Sequence, residues 1–255
     1  MPAPNRPPRP VRTVAVIRKE QLSPTMVRVI VGGEAIDQLP PLSYTDHYVK
    51  LKFGDVTRTY TIRWLDHAAR EMALDFVIHG DEGLAGPWAR DAQPGDELSF
   101  VGPGGGWAPR GDAEVHVLVG DDAALPAVAA ALEALPRHAR AEVFLEVPDA
   151  ASRQELPVTD HTTVHWIERD AHGLGYGEAL TYAVQTATFP EGDLEAFVHG
   201  NADMIKPLRQ YLFNERGVPR ENVSISGYWR TGMNEDGWQS SKREFVAAME
   251  AEQDG

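Results

Sequence analysis

The apolar rhythm of this chain changes once along its length, and that change limits the folds open to it. From Val11 to Val101, apolar and polar residues alternate over six short runs: VRTVAVIRK, MVRVIVGG, DHYVKLKF, TRTYTIRW, MALDFVIHG and DELSFVG. Turn residues at Ser23-Pro24, Gly54-Asp55 and Pro94-Gly95 separate several of them. A period of two marks strands with one buried face, and six such strands at this spacing predict a closed antiparallel six-stranded β-barrel. A short helical piece, Leu84 to Ala92, interrupts the series. Gly102-Pro103-Gly104-Gly105-Gly106 then reads as a flexible loop. Beyond it the runs VHVLVG, AEVFLEV, TVHWIER, EAFVHG and VSISGYW alternate with helical segments. Alternation of this kind predicts βαβ units and a Rossmann-like parallel sheet. Its first helix is expected to be capped by Asp121 or Asp122, to hold Pro126 in its first turn and to stop at Pro136. Later helices are expected over Tyr176 to Ala187, Met204 to Arg216 and Asn234 to Glu250, with Pro207 awkward in the second of these. The predicted domains are a disordered proline-rich lead over residues 1–10, a barrel over 11–110 and an α/β domain with a C-terminal helix over 111–255.

Composition narrows the chemistry. The chain has 255 residues, enough for two modest domains with real cores. It has no cysteine, which excludes disulfides, thiolate-ligated zinc and iron–sulfur clusters, so redox chemistry would come from a bound organic cofactor. The net charge of −14 is uneven: residues 1–110 carry 13 Lys+Arg against 13 Asp+Glu, and residues 111–255 carry 11 against 25. An acidic second half argues against nucleic-acid binding, which needs a basic surface. No apolar run reaches the length of a membrane span, and no apolar segment follows MPAPNRPPRP as in an export signal. The protein is therefore expected in the cytoplasm, without membrane insertion.

Arg58-Thr59-Tyr60-Thr61-Ile62-Arg63 carries the most chemistry. On a strand, Arg58, Tyr60 and Ile62 face one way and Thr59, Thr61 and Arg63 the other. A flat ring with a diphosphate tail needs an aromatic partner, a hydrogen-bonding group and a forked cation, and this strand offers all three. By itself the hexapeptide reads equally as an ordinary exposed strand. In the context of barrel followed by α/β domain, it resembles the Arg-x-Tyr-Thr-x-Arg flavin motif of the siderophore-interacting proteins, a family of ferric-siderophore reductases related to ferredoxin–NADP reductases. The resemblance implies that Tyr60 packs against the isoalloxazine of FAD, Thr61 bonds near its reactive nitrogen with Ile62 beside it, and Arg58 or Arg63 binds phosphate.

Further segments follow in the family's order. His79-Gly80-Asp81-Glu82-Gly83-Leu84-Ala85-Gly86-Pro87-Trp88-Ala89 is similar to the family's diphosphate segment, which implies cofactor contacts at His79, Gly83, Ala85, Gly86 and Trp88. Leu84 stands where the family has proline and Gly86 where it has serine. Glycines before a helix start also form an anion nest in their own right. The Gly-Pro-x-Gly turn at 102–105 is implied to lie near the adenine end. Gly120-Asp121-Asp122-Ala123-Ala124-Leu125-Pro126-Ala127 looks like the family's Gly-Asp-Glu-Thr-Ala-Leu-Pro-Ala, with Ala123 in place of threonine, and implies cofactor contacts at Gly120, Asp121 and Ala124. His199-Gly200-Asn201 departs from the family's Ala-Gly-Glu. Gly227-Tyr228-Trp229-Arg230-x-Gly232 matches closely, and with Gly200 and Asn201 it implies nicotinamide contacts at Tyr228 and Trp229.

A ferric siderophore is often anionic, so its reductase needs local cations and no iron ligands of its own. The resemblance implies that Lys50, Arg230, Lys242 and Arg243 supply them, although solvated surface charge is the ordinary fate of such residues. The function implied is FAD-dependent reduction of ferric siderophores by NADH or NADPH, on a monomer, with no side chain acting as acid or base and no protein-bound metal. A ferredoxin-linked or general flavin reductase, and a non-catalytic siderophore-binding module, stay open as alternatives.

Overall fold

The alternation in the first hundred residues closes on itself. The structure, a computed structural model, describes residues 10–78, 83–233 and 235–253. Most of the proline-rich lead and His79 lie outside these residues. The chain divides into two compact units, Met1–Gly106 and Trp107–Gly255.

In the first unit, β1 (Val11–Ser23), β2 (Met26–Gly32), β3 (Tyr48–Phe53), β4 (Val56–Asp66), β5 (Glu71–Val77) and β6 (Glu97–Gly104) form a closed barrel in the order β1-β2-β5-β4-β3-β6. Every pairing is antiparallel. Closure leaves no unpaired edge. Val29, Val49, Leu51, Ile62, Leu74 and Phe100 fill the interior. Helix α1 (Ala85–Asp91) presses Trp88 onto this core, its ring 5.6 Å from Phe76 and 5.8 Å from Phe53. Arg28 and Asp75 face each other across β2 and β5, and Asp75, 4% exposed, takes both arms of the guanidinium at 2.6 and 2.8 Å. Two oriented hydrogen bonds are what make a buried charge tolerable.

One local expectation is corrected. The glycine run is not a loop throughout, because β6 extends to Gly104. There the Tyr48 ring lies so close that a Cβ on Gly104 would stand 2.5 Å from it, and His47 crowds Gly105 in the same way. The glycines permit this close approach. In β4, the alternation breaks at Arg63: Ile62 pairs with Leu74 but Trp64 pairs with Ala73, so Arg63 is the extra residue of a bulge. Thr61 and Ile62 are both buried, and the next core contact is Leu65 instead of Trp64. The shift in phase therefore shows at Trp64 and Leu65, after the hexapeptide.

The second unit is a five-stranded parallel sheet in the order β11-β10-β7-β8-β9, from β7 (Val115–Asp121), β8 (Arg140–Val147), β9 (Thr162–Glu168), β10 (Leu194–Asn201) and β11 (Val223–Trp229). Two apolar clusters sandwich it. One contains Leu118, Val143 and Phe197 with α2 (Leu125–Ala134); the other contains Val119, Phe144 and Val198 with α4 (Glu178–Thr186) and α5 (Ala202–Gln210). Burial on both faces accounts for the near-continuous apolar strands. A four-residue turn of helix, α3 (Arg169–His172), follows β9 and was not anticipated. Helix α5 begins at Ala202, two residues earlier than expected, with Asn201 capping it, and a π-helical turn over Tyr211–Glu215 extends it. Pro207 thus falls inside the helix, where it cannot donate to the turn before it. The last helix, α6 (Glu235–Gln253), buries Trp238 against Gly227, where a Cβ would stand 2.8 Å from the indole. No helix among the described residues is long and apolar enough to cross a membrane.

Phe76 touches both the Tyr60 and the Trp88 rings and is fully buried. Phe76→Ala is expected to lower the unfolding free energy of the first unit by about 3–5 kcal/mol, read as a lower urea midpoint with unchanged slope.

Candidate functional site

In the first unit the candidate site is built on β4. Tyr60 is half-buried and its ring lies 4.3 Å from Phe76, tilted by 32°. Cross-strand aromatic contact of this kind fixes the Tyr60 ring before any ligand arrives. Thr61 is 8% exposed. Arg58, half-buried, donates to the Thr57 carbonyl at 2.9 Å, and Arg63, also half-buried, sits at the bulge. Lys50 stands on β3 opposite Thr59, exposed, with no carboxylate partner among the described residues.

Helix α1 begins after Gly83, whose φ of +85° suits glycine alone. Leu84 occupies the cap position and offers no side-chain bond. Pro87 has no N–H, so the first turn presents the amides of Ala85 and Gly86. At Gly86 a Cβ would stand 3.2 Å from the Val77 carbonyl, a tight approach. Trp88 is half-buried and packs against the barrel core.

In the second unit the expected residues converge at the carboxyl ends of the parallel strands, but largely on one another. Asp121 ends β7 and is 1% exposed. Its Oδ1 accepts from the amides of Ala123 and Ala124 at 3.0 and 3.2 Å, and its Oδ2 from the Asn201 amide at 2.8 Å and the Trp229 indole at 2.7 Å. Asp121 therefore stabilises the turn into α2 without being its cap residue, which is Ala124. Gly120 is glycine because a Cβ would meet Ala124 at 2.8 Å, and Gly200 because a Cβ would stand 2.6 Å from the Asp121 carboxyl carbon. The Asn201 side chain accepts from the Asp203 amide and donates to Thr231. Gly120, Asp121, Ala124, Gly200, Asn201 and the Trp229 indole, all looked for as ligand contacts, are thus tied to each other. Tyr228 is half-exposed and meets His199 edge-on at 5.2 Å.

Four residues outside the expected site set complete this edge. Glu146, at the end of β8, accepts from the Gly177 amide at 3.1 Å and from Arg169 at 3.0 Å. Arg169 also reaches Asp122 at 3.6 Å and lies 4.0 Å over the Tyr176 ring, which in turn meets Trp229 edge-on at 5.0 Å. The signal available was three acids, Asp121, Asp122 and Glu146, at strand ends. His199 is the fourth: it lies flat on Phe197 at 3.8 Å, bonds Ser224 through Nε2 at 2.9 Å and leaves Nδ1 buried without a hydrogen-bond partner. Among the expected cations, Arg230 is paired with Asp203 at 2.9 Å and lies over Phe245, Lys242 donates to Ser226 at 3.1 Å, and Arg243 is exposed.

These surroundings move two titrations in opposite directions. Burial, and then the neighbouring Asp122, push the Asp121 carboxyl from 3.8 up to about 7, against its N–H donors. Burial, and then Lys242, push His199 from 6.5 down to about 3. Folded Asp121 keeps a proton that the unfolded chain has released, so its contribution is full below 3.8 and lost as pH rises through about 7. Folded His199 refuses a proton that the unfolded chain takes up, so its contribution is full above 6.5 and lost as pH falls toward about 3. Urea midpoints at about pH 7 and about pH 5 are expected to fall on acidification for Asp121→Asn and to rise for His199→Gln, relative to the parent. Equal slopes for the two variants would contradict both assignments.

The comparisons with known proteins agree with this two-part organisation. The model of the siderophore-interacting FAD-binding domain matches residues 15–56 and 54–107, and that of the siderophore-interacting protein matches residues 113–232. An uncharacterized protein of Mycobacterium tuberculosis is 38% identical over 94% of this chain and 97% of its own length. The ferric vibriobactin reductase ViuB of Vibrio cholerae is 29% identical over 91% of this chain and 93% of its own. The crystal structure of a siderophore utilization protein from T. fusca superimposes with a TM-score of 0.79 at 35% identity, covering 89% of this chain and 95% of that one. With a barrel matching the FAD-binding domain and a parallel sheet matching the remainder, the chain belongs to the siderophore-interacting protein family.

Proposed function

We propose that the protein reduces ferric siderophores through bound FAD and so releases Fe(II), with NADH or NADPH as the electron source. Strand β4 carries this reading, because it sets an aromatic ring, a threonine hydroxyl and two guanidiniums on one strand of a domain matched by an FAD-binding family. The residues present fit that cofactor. Tyr60, already held by Phe76, offers a ring face to the isoalloxazine. Thr61 supplies a hydroxyl near the reactive nitrogen, with Ile62 beside it, and Arg58 or Arg63 neutralises phosphate. The amides of Ala85 and Gly86, after the left-handed Gly83, add N–H donors for the diphosphate, and Trp88 keeps their helix on the barrel. His79, outside the described residues, belongs to the same segment. When bound, FAD supplies the conversion of one hydride into two single electrons for iron(III).

The substrate class is supported by the relative named for ferric vibriobactin reduction. Fe(II) carries less charge than Fe(III) and is held more weakly by the same hard oxygen ligands, so reduction is enough for release. The cations proposed to meet an anionic complex are Lys50, Arg230, Lys242 and Arg243. Lys50 and Arg243 are exposed, whereas Arg230 already pairs with Asp203. A ferredoxin in place of a nicotinamide is the second reading of the donor, and it is favoured by the way Asp121 takes up N–H donors at the ends of β7 and β10.

Purified protein is expected to be yellow, and Tyr60→Ala to hold FAD about fivefold more weakly, since such aromatic contacts are worth about 1 kcal/mol. Colourless protein that gains no flavin absorbance on addition of FAD would overturn the reductase reading. Lys50→Ala is expected to raise the KM for an anionic ferric siderophore about two- to fivefold with flavin content unchanged, and Arg230→Ala to raise it less. Unchanged KM in both variants removes the cation assignment.

A further inference from the structure

The sheet order of the second unit reverses between β7 and β10, and dinucleotides bind open parallel sheets in the crevice at such a point. Their pyrophosphate is held by backbone N–H groups of the turn that leads from the first strand into the first helix. In this chain two of those N–H groups already have an acceptor. The amides of Ala123 and Ala124, which lead into α2, both donate to Asp121, as do the Asn201 amide at the end of β10 and the Trp229 indole at the end of β11. The carboxyl group is 1% exposed, and Gly200 backs it too closely to admit even a methyl group.

A second observation concerns charge. The adenylate half of a dinucleotide carries a negative diphosphate and, in NADPH, a 2′-phosphate that is commonly met by an arginine. At the ends of β8 and β9 stands Arg169, and Glu146, Asp122 and the Tyr176 ring already surround it. A further anion would meet two carboxylates beside a single, already paired guanidinium.

We propose that Asp121 is a built-in substitute for the pyrophosphate of a dinucleotide, so that the second unit does not anchor the adenylate half of a nicotinamide donor. The inference rests on the reductase reading above and refines its donor. With flavin bound, a reduced nicotinamide would pass its hydride to it and leave as the pyridinium, and the phosphates and adenine of the donor would take no part in its selection. NADH, NADPH and reduced nicotinamide mononucleotide are then equivalent donors.

The test is a calorimetric titration of the flavin-loaded protein with ADP-ribose and 2′,5′-ADP, together with anaerobic bleaching of the flavin by the three donors. No saturable binding below about 1 mM is expected, and second-order rate constants within about tenfold of one another. Saturable binding of ADP-ribose or 2′,5′-ADP below about 100 µM, or a mononucleotide donor slower by about 100-fold or more, overturns the proposal. Bleaching by reduced ferredoxin with no response to any nicotinamide overturns the donor reading instead, and the titration still decides the role of Asp121. Asp121→Ala, if it folds, is expected to gain measurable affinity for ADP-ribose. Should it not fold, the titration of the parent protein stands by itself.

Discussion

One buried carboxyl group holds together the functional edge of the second unit. Asp121 accepts four N–H donors, drawn from the turn into α2 and from the ends of β10 and β11. Three of the five strands therefore end on one side chain. Loss of its oxygens would leave four donors without their acceptor, and buried unpaired donors are costly. The glycines on either side are set by it or by the turn it stabilises, and Asn201 and Trp229 are oriented by it. Proton affinity at the site follows from the same arrangement, because burial beside Asp122 favours the neutral form while the donors favour the charged one.

The barrel solves a different problem. A flavin ring and its diphosphate need groups of opposite character close together, and an antiparallel strand with strict alternation would separate them by face. On β4 both Thr61 and Ile62 are buried, and the bulge at Arg63 shifts the phase so that Leu65, not Trp64, is the next core contact. Phe76 supports Tyr60 from one side and Trp88 from the other, which couples β4 to the start of α1 through a single buried ring. Core packing and site geometry are thus the same contacts in this unit.

Much of the architecture was legible from periodicity. Six runs with period two became six barrel strands, and five apolar runs between helical segments became five parallel strands, because hydrogen-bonding geometry imposes its own spacing on buried side chains. The flavin hexapeptide and the GYWR segment were legible as a pattern in the family's order. The glycine run at 102–106 was misread, since close packing by Tyr48 and His47 explains glycine there as well as a turn does. Arg169 and Glu146 were missed because neither has a local signature: their pairing joins the end of β9 to the end of β8.

By itself the sequence determined the order and type of the elements, the presence of a flavin-type strand and the family to which the chain belongs. These are properties of neighbouring residues and of their spacing, and they need no knowledge of which strands lie side by side. Only the tertiary structure decided which way Asp121 faces. An acid at a strand end followed by a helix can serve a ligand or the protein, and the motif is the same in both cases. Here β10 lies beside β7 and β11 beside β10, which brings the Asn201 amide and the Trp229 indole, 80 and 108 residues away, onto its carboxyl oxygens. Donors that distant in sequence are brought to an acceptor by sheet order alone, and their arrival turned a presumed ligand contact into an internal bond.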